Sequence, residues 1–265
     1  MKKMIFTDLD GTFLNHNDYS FEASMEALNK IQQTNTSFIF TTSKTKAEVI
    51  QLQQKAGIIE PFITENGAAL FIPKGYQGFF LDELLEQDGY KVLVFGKRYS
   101  EILSFYHKYK REFGLKGFYD MSVEEIMELT LQTYKDATDA KQRDFTEPFT
   151  IKDPSKIPEL EKLANQNGLK ITQGGRFFHL IAKTQDKGIA VRKTKQLFEA
   201  LFHEEIFSFG FGDGRNDIPM FENVDQAVMI QNHQGSYVDC DVANIKRSSY
   251  QGSKGFNEMV MQYVF

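Results

Sequence analysis

Short apolar runs that end in polar residues recur through the first third of the chain. Residues 3–7 form one such run and lead straight into two aspartates, the pattern of a buried strand that delivers carboxylates at its C-terminal end. Phe21, Met25, Leu28 and Ile31 follow at helical spacing. Residues 37–42 read as a second buried strand. Thr45 and Glu48 have the spacing of a capping box, and Val49, Leu52 and Ala56 continue one face of that helix. Residues 61–65 form a third strand and residues 68–72 a fourth, after Asn66 and Gly67. Alternation of strands and helices predicts parallel pairing with right-handed crossovers. Ligands of such sheets bind beyond the C-terminal strand ends. The segments DLD at 8–10, TTSK at 41–44 and ENG at 65–67 all lie at those ends.

From about Asp82 the texture changes. Ile102, Phe105, Tyr109 and Phe113 mark a helix, Ser122 and Glu125 cap another, and a polar stretch covers 135–143. A strand near 149–152, a helix after Pro154 and strands at 170–172 and 177–182 come next. Gly174 and Gly175 suggest a hairpin between the last two. After Lys183 the first texture returns. Val191, Phe198 and Phe202 share a helix face, residues 206–210 and 227–230 read as strands, and 256–265 as a closing helix. The expected fold is therefore α/β, a doubly wound parallel sheet built from 1–81 and 184–265, with an α+β unit at 82–183 inserted into it.

Composition narrows the function. The chain has 265 residues, 41% hydrophobic and 25% charged, with a net charge of -5 and no basic block or stripe. That balance argues against a nucleic-acid binder. One cysteine, Cys240, excludes an intramolecular disulfide and fits a reducing compartment. The apolar run near the start breaks at Asp8, short of a signal peptide, and no run approaches a membrane span of about 18 residues. A cytoplasmic protein without membrane contact is expected. Oligomeric state is not readable.

Candidate chemistry concentrates at four places. Asp8 and Asp10 face one side of an extended backbone, where two carboxylates repel unless a proton or cation lies between them. One can attack phosphorus while the other manages the leaving-group proton. Gly11 permits the turn that follows. Thr42 ends the second strand beside a helix start that can cradle phosphate, although Ser and Thr suit an N-cap equally. Lys187 opens a helix, where its charge opposes the dipole, so it serves either an anion or only the solvent. GDGRND at 212–217 offers Asp213 to complete an oxygen site for Mg²⁺ together with Asp8, or is simply an acidic turn.

DLDGT at 8–12, Thr42, Lys187 and GDGRND in this order resemble the haloacid dehalogenase-like phosphatase superfamily, across the whole core. The resemblance implies a doubly wound core with an inserted α/β cap, Asp8 as nucleophile and Asp10 as general acid and base. It implies that Thr42 and Lys187 hold the phosphoryl group of the expected partner, a small phosphorylated metabolite. Mg²⁺ would lie on Asp8, the Asp10 carbonyl and Asp213, with Asp217 in support. Within the superfamily, TSKT at 42–45, ENGAA at 65–69 and GGRFFH at 174–179 are similar to the mannosyl-3-phosphoglycerate phosphatases. That closer resemblance makes Lys44, Asn66, Arg176 and His179 candidates to read the substrate. Each also has a plain reading as a helix-start lysine, a turn asparagine or a hairpin residue. Another sugar-phosphate phosphatase, a phosphomutase and a non-catalytic sensor are the alternatives that share these motifs.

Overall fold

The computed structural model describes residues 1–34, 36–174 and 177–265. The first strands and helices alternate as β1 (Lys2–Thr7), α1 (Met25–Gln33), β2 (Ser37–Thr41), α2 (Lys46–Ala56), β3 (Phe62–Thr64) and β4 (Ala69–Pro73). Then come β5 (Leu85–Gln87) and β6 (Tyr90–Val94). The insertion holds α3 (Tyr99–Phe113), β7 (Leu115–Gly117), α4 (Val123–Thr130), α5 (Tyr134–Ala140), β8 (Glu147–Ile151), α6 (Ile157–Gln166), β9 (Leu169–Gly174) and β10 (Phe177–Ala182). The chain returns through α7 (Lys187–Phe202), β11 (Ile206–Gly212), α8 (Ile218–Phe221), β12 (Gln226–Gln231), β13 (Lys246–Gln251) and α9 (Gly252–Tyr263).

Among the described residues the large sheet runs β13-β12-β11-β1-β2-β3-β4-β6-β5. The block from β13 to β3 is parallel. The edge beyond it, β4, β6 and β5, is antiparallel. Side chains alternate across β1. Met4 and Phe6 pack with Val191 and Phe198 of α7 and Phe221 of α8, while Ile5 packs with α1, α2 and α9 through Leu28, Val49 and Phe256. Burying both faces is what makes these strands read as continuous apolar runs. It also directs all their C-terminal ends to one edge. The second sheet, β7-β8-β10-β9, is antiparallel. Helices α3 and α6 cover one part of it through Ile102, Phe105 and Leu160; Ile126, Ala137 and Ala140 of α4 and α5 cluster with Phe118 and Phe177. No helix among the described residues is long and apolar enough to cross a membrane.

The fold class is that expected, with additions. Strands β5, β6, β7 and β13 are not among those expected from the sequence, although the YKVLV run of β6 is apolar enough to have marked it. β5 is exposed throughout, and β13 exposes most of its residues, so these edge strands need no apolar face. α5 escaped notice because its buried residues are alanines, Ala137 and Ala140, too small to mark a period. The sequence places the start of the insertion at 82, yet β5 and β6 hydrogen-bond into the large sheet beside β4. We propose that the cap begins after Val94 and ends near Ala182.

The cap rests on the core by several direct bonds. Thr45 Oγ1 donates to the Asp139 carbonyl at 2.9 Å, and Tyr19 Oη donates to the Thr130 carbonyl at 2.9 Å. The Glu65 carboxylate accepts the backbone N–H groups of Asp144 (2.9 Å), Phe145 (3.2 Å) and Thr146 (2.9 Å). Glu65 itself adopts a left-handed φ of 49°. It thus spends a strained backbone position to strap the cap's return strand to the end of β3.

Candidate active site

Four charged side chains meet at the C-terminal edge of β1 and β11. β1 continues its ladder one step further, the Asp8 N–H donating to the Phe211 carbonyl at 2.8 Å, which fixes Asp8 at the strand end. Lys187, the first residue of α7, is buried between two carboxylates, 2.8 Å from Asp8 Oδ1 and 2.6 Å from Asp217 Oδ1. The second Asp217 oxygen accepts the N–H groups of Asp213 (3.1 Å) and Gly214 (2.9 Å). Asp217 is therefore engaged at both oxygens and holds the GDGRND turn to Lys187. Asp213 accepts from Thr12 Oγ1 at 3.2 Å. Gly11 has a φ of +79°, and a Cβ there would sit 2.4 Å from Asp213 Oδ2. Only glycine lets the DLDGT turn and the GDGRND turn approach this closely.

Charge at this cluster is unbalanced. Ligand oxygens of Asp8, Asp213 and Asp217 lie within 4.8 Å of one another, against the single ammonium of Lys187. Burial, then the Asp217 charge, pushes the Asp8 carboxyl up to about 6, although Lys187 opposes the rise. Burial, then Asp8 and Asp217, pushes Asp213 well above the usual carboxylate range. Carboxylates raised by mutual repulsion in a buried site fit a hard cation, which supplies the missing positive charge. Lys187 is raised despite its burial, by Asp217 and Asp8, and stays protonated.

Asp10 belongs to a second group. Its Oδ1 lies 3.0 Å from Lys44 Nζ, an ion pair without hydrogen-bond angles. Lys44 also reaches Glu48 Oε1 at 3.4 Å and lies 5.1 Å from the centre of the Tyr19 ring. Glu48 does double duty, its other oxygen accepting the Thr45 N–H at 2.9 Å to close the capping box of α2. Burial by the surrounding walls raises the Asp10 carboxyl, and Lys44 restrains the rise. About a third of the Asp10 side chain, 35%, remains exposed, on the side of a cavity of ≈ 260 Å³ between core and cap.

The family of the chain follows from its sequence matches. A family model described as haloacid dehalogenase-like hydrolase matches residues 5–237. The chain belongs to the haloacid dehalogenase-like hydrolases. A glucosyl-3-phosphoglycerate/mannosyl-3-phosphoglycerate phosphatase of Persephonella marina is 48% identical over 97% of this chain and 95% of its own. A phosphatase of the same name from Methanococcoides burtonii is 34% identical over 100% of this chain and 98% of its own. Among solved structures, a protein of Thermoplasma acidophilum superposes with a TM-score of 0.72 at 20% identity, covering 100% of this chain and 99% of its own. By family and by these relatives, the chain is a phosphoric monoester hydrolase.

Within this haloacid dehalogenase-like hydrolase, the four remaining sequence candidates differ in where they lie. Thr42 is fully buried at the end of β2, and its Oγ1 accepts the Lys44 N–H at 3.1 Å. Asn66 lies beneath the cavity wall with a φ of 59°, its N–H donating to the Thr42 carbonyl and its Oδ1 accepting from Asn216 Nδ2 at 3.1 Å. It ties the loop after β2 to the GDGRND turn and is absent from the cavity lining. His179 does line the cavity from β10. Burial, with the charges of Arg143 and Lys187, pushes its ring down to about 3, so it is neutral. Arg176 lies outside the described residues.

Arg143, which the sequence left in an unassigned polar stretch, also lines this cavity. Its Nε donates to the Ala140 carbonyl and its Nη1 to the Ser43 carbonyl, each at 2.8 Å, and its face lies 5.6 Å from the centre of Phe118. No local motif marks it, because its partner Ser43 is 100 residues away. Glu48 was visible only as a helix cap, and Tyr19 not at all.

Proposed function

We propose that this enzyme hydrolyses mannosyl-3-phosphoglycerate, or its glucosyl counterpart, to the glycosylglycerate and phosphate, with Mg²⁺ as cofactor. The observation that carries the reading is the 48% identity to the Persephonella marina enzyme over 97% of the chain, cap as well as core.

Asp8 is the nucleophile. Its carboxylate attacks phosphorus, the bond from phosphorus to the leaving oxygen breaks, and Asp10 gives that oxygen a proton. Lys187 lies 2.8 Å from the Asp8 carboxylate and keeps a positive charge beside the transferring group, where electrostatic stabilisation matters most. Water then loses a proton to Asp10 and attacks phosphorus, releasing phosphate and restoring both carboxyl groups. The rise of the Asp10 carboxyl suits a residue that is an acid in one step and a base in the next. Thr42 holds the loop that carries Lys44 and faces the phosphoryl site. Asp8 and Asp213 are the residues to hold Mg²⁺, and Asp217, engaged at both oxygens, supports them through Lys187 and the turn backbone. The ion would supply positive charge for the phosphate oxygens. His179 acts on the substrate side, as part of the cavity wall, and Asn66 acts from behind it by bracing the loops.

Phosphate release from mannosyl- and glucosyl-3-phosphoglycerate, beside a panel of hexose phosphates, tests this with Mg²⁺ and with a chelator. Mg²⁺-dependent preference for the glycosyl phosphoglycerates is expected. Preference for a simple hexose phosphate would remove the substrate and leave the chemistry, and release that survives chelation would remove the cofactor.

A further inference from the structure

Substrates of the proposed class carry a carboxylate on the group that leaves with the oxygen. That charge needs a partner in the cavity. Among the described residues, the lysine and arginine lining the cavity are Lys44 and Arg143. Lys44 is committed, with Asp10 at 3.0 Å and Glu48 at 3.4 Å on its ammonium. Arg143 is less so. Two of its nitrogens serve backbone carbonyls, while Nη2 makes no hydrogen bond among the described residues and has only a long ion pair, 3.9 Å to Glu48 Oε2, with the Glu65 and Glu147 carboxylates acting on its charge from further off. The side chain is only 5% exposed.

A guanidinium that is almost wholly buried and only partly paired is costly to leave so, and an entering anion relieves the cost. Its planar fork matches a carboxylate, whereas a neutral hydroxyl gains less from it. The fork is also pre-set. The Ala140 carbonyl comes from the cap and the Ser43 carbonyl from the loop after β2, so the guanidinium reaches this position only with the cap seated on the core.

We propose that Arg143 is a specificity-determining residue that binds the substrate carboxylate through Nη2 and so selects phosphorylated acids over neutral sugar phosphates. The inference rests on the phosphatase reading above and on a carboxylate-bearing substrate. It makes the cap, through one arginine, the source of charge selectivity.

The test uses mannosyl-3-phosphoglycerate and its carboxamide, which differ in charge at one group, with the wild type, Arg143→Gln and Arg143→Lys. The wild type should favour the acid, chiefly in KM. Arg143→Gln should raise KM for the acid roughly 30-fold, so that the acid-to-amide ratio of kcat/KM falls towards one. Arg143→Lys keeps the cation without the fork and should retain part of the ratio. It decides the matter should the glutamine variant not fold. A purely structural latch between cap and core would lower both substrates alike and leave the ratio at its wild-type value, and that result overturns the proposal. Equal use of acid and amide by the wild type overturns it too. No turnover of either by the wild type strikes instead at the substrate reading on which it rests.

Discussion

Gly67 lies between the strap residue Glu65 and β4, and its backbone is packed on the start of α7. Its φ is +84°, and a Cβ placed there would meet the Asp186 carbonyl oxygen at 2.1 Å and the Lys187 nitrogen at 2.9 Å. Gly67→Ala therefore carries two penalties. A left-handed alanine costs about 1–2 kcal/mol. Relieving a backbone contact of that kind costs about 1–3 kcal/mol more. Together they come to about 2–5 kcal/mol, which lowers the melting temperature by roughly 10 °C in a protein of this size. Function should suffer more than stability. The group that must yield is the backbone of Asp186 and Lys187, and Lys187 Nζ now sits 2.8 Å from Asp8 and 2.6 Å from Asp217. A displacement of about 1 Å in such a group lowers turnover by about 100-fold. The control is Gly57→Ala, at the end of α2, where φ is +68° and nothing lies within 4 Å. It should lose about 1 kcal/mol from strain alone and keep full turnover. Thermal melting and steady-state kcat read both variants. If Gly67→Ala melted and turned over like Gly57→Ala, the packing of the ENG loop on the lysine helix would be refuted.

Other consequences follow from the charges. Burial pushes Glu147, the first residue of β8 in the cap sheet, up to about 7 from 4.5, its hydrogen bonds from Tyr99 and the Tyr119 N–H opposing the rise. The folded protein thus keeps a proton that the unfolded chain loses above pH 4.5, and stability falls as pH rises from there through about 7, by on the order of 3 kcal/mol. Glu147→Gln should flatten that decline in urea midpoints compared across the window, and an unchanged slope would speak against it. Lys44→Met removes the cation that restrains Asp10, so the acid limb of the pH profile of kcat should move to higher pH. An unmoved limb would mean that Lys44 does not tune the acid.

Much of this arrangement was legible in the sequence because strand ends carry it. Asp8, Asp10 and Asp213 follow short apolar runs that read as buried strands, and buried parallel strands must present their ends on one edge. Lys187 was legible because its place at a helix start is a poor one for its own helix. What escaped lies across the cap interface. Arg143 depends on Ser43, Tyr19 on Thr130 and Glu65 on residues 144–146, pairs 79 to 111 positions apart. No local period or spacing encodes such contacts. Lys44 shows the reverse case: the sequence marked the residue as a reader of the substrate, and the structure adds what no spacing encodes, its ion pairs to Asp10 and Glu48 on the cavity wall.

The most direct test of the central claim is to trap the covalent step. The wild type and Asp8→Asn are mixed with mannosyl-3-phosphoglycerate and Mg²⁺, quenched in acid within the first turnover, digested and weighed by mass spectrometry. A phosphate's added mass on the wild-type peptide that contains Asp8, with neither that mass nor phosphate release in the folded Asp8→Asn variant, is the expected result. Phosphate release by Asp8→Asn at the wild-type rate would contradict the account.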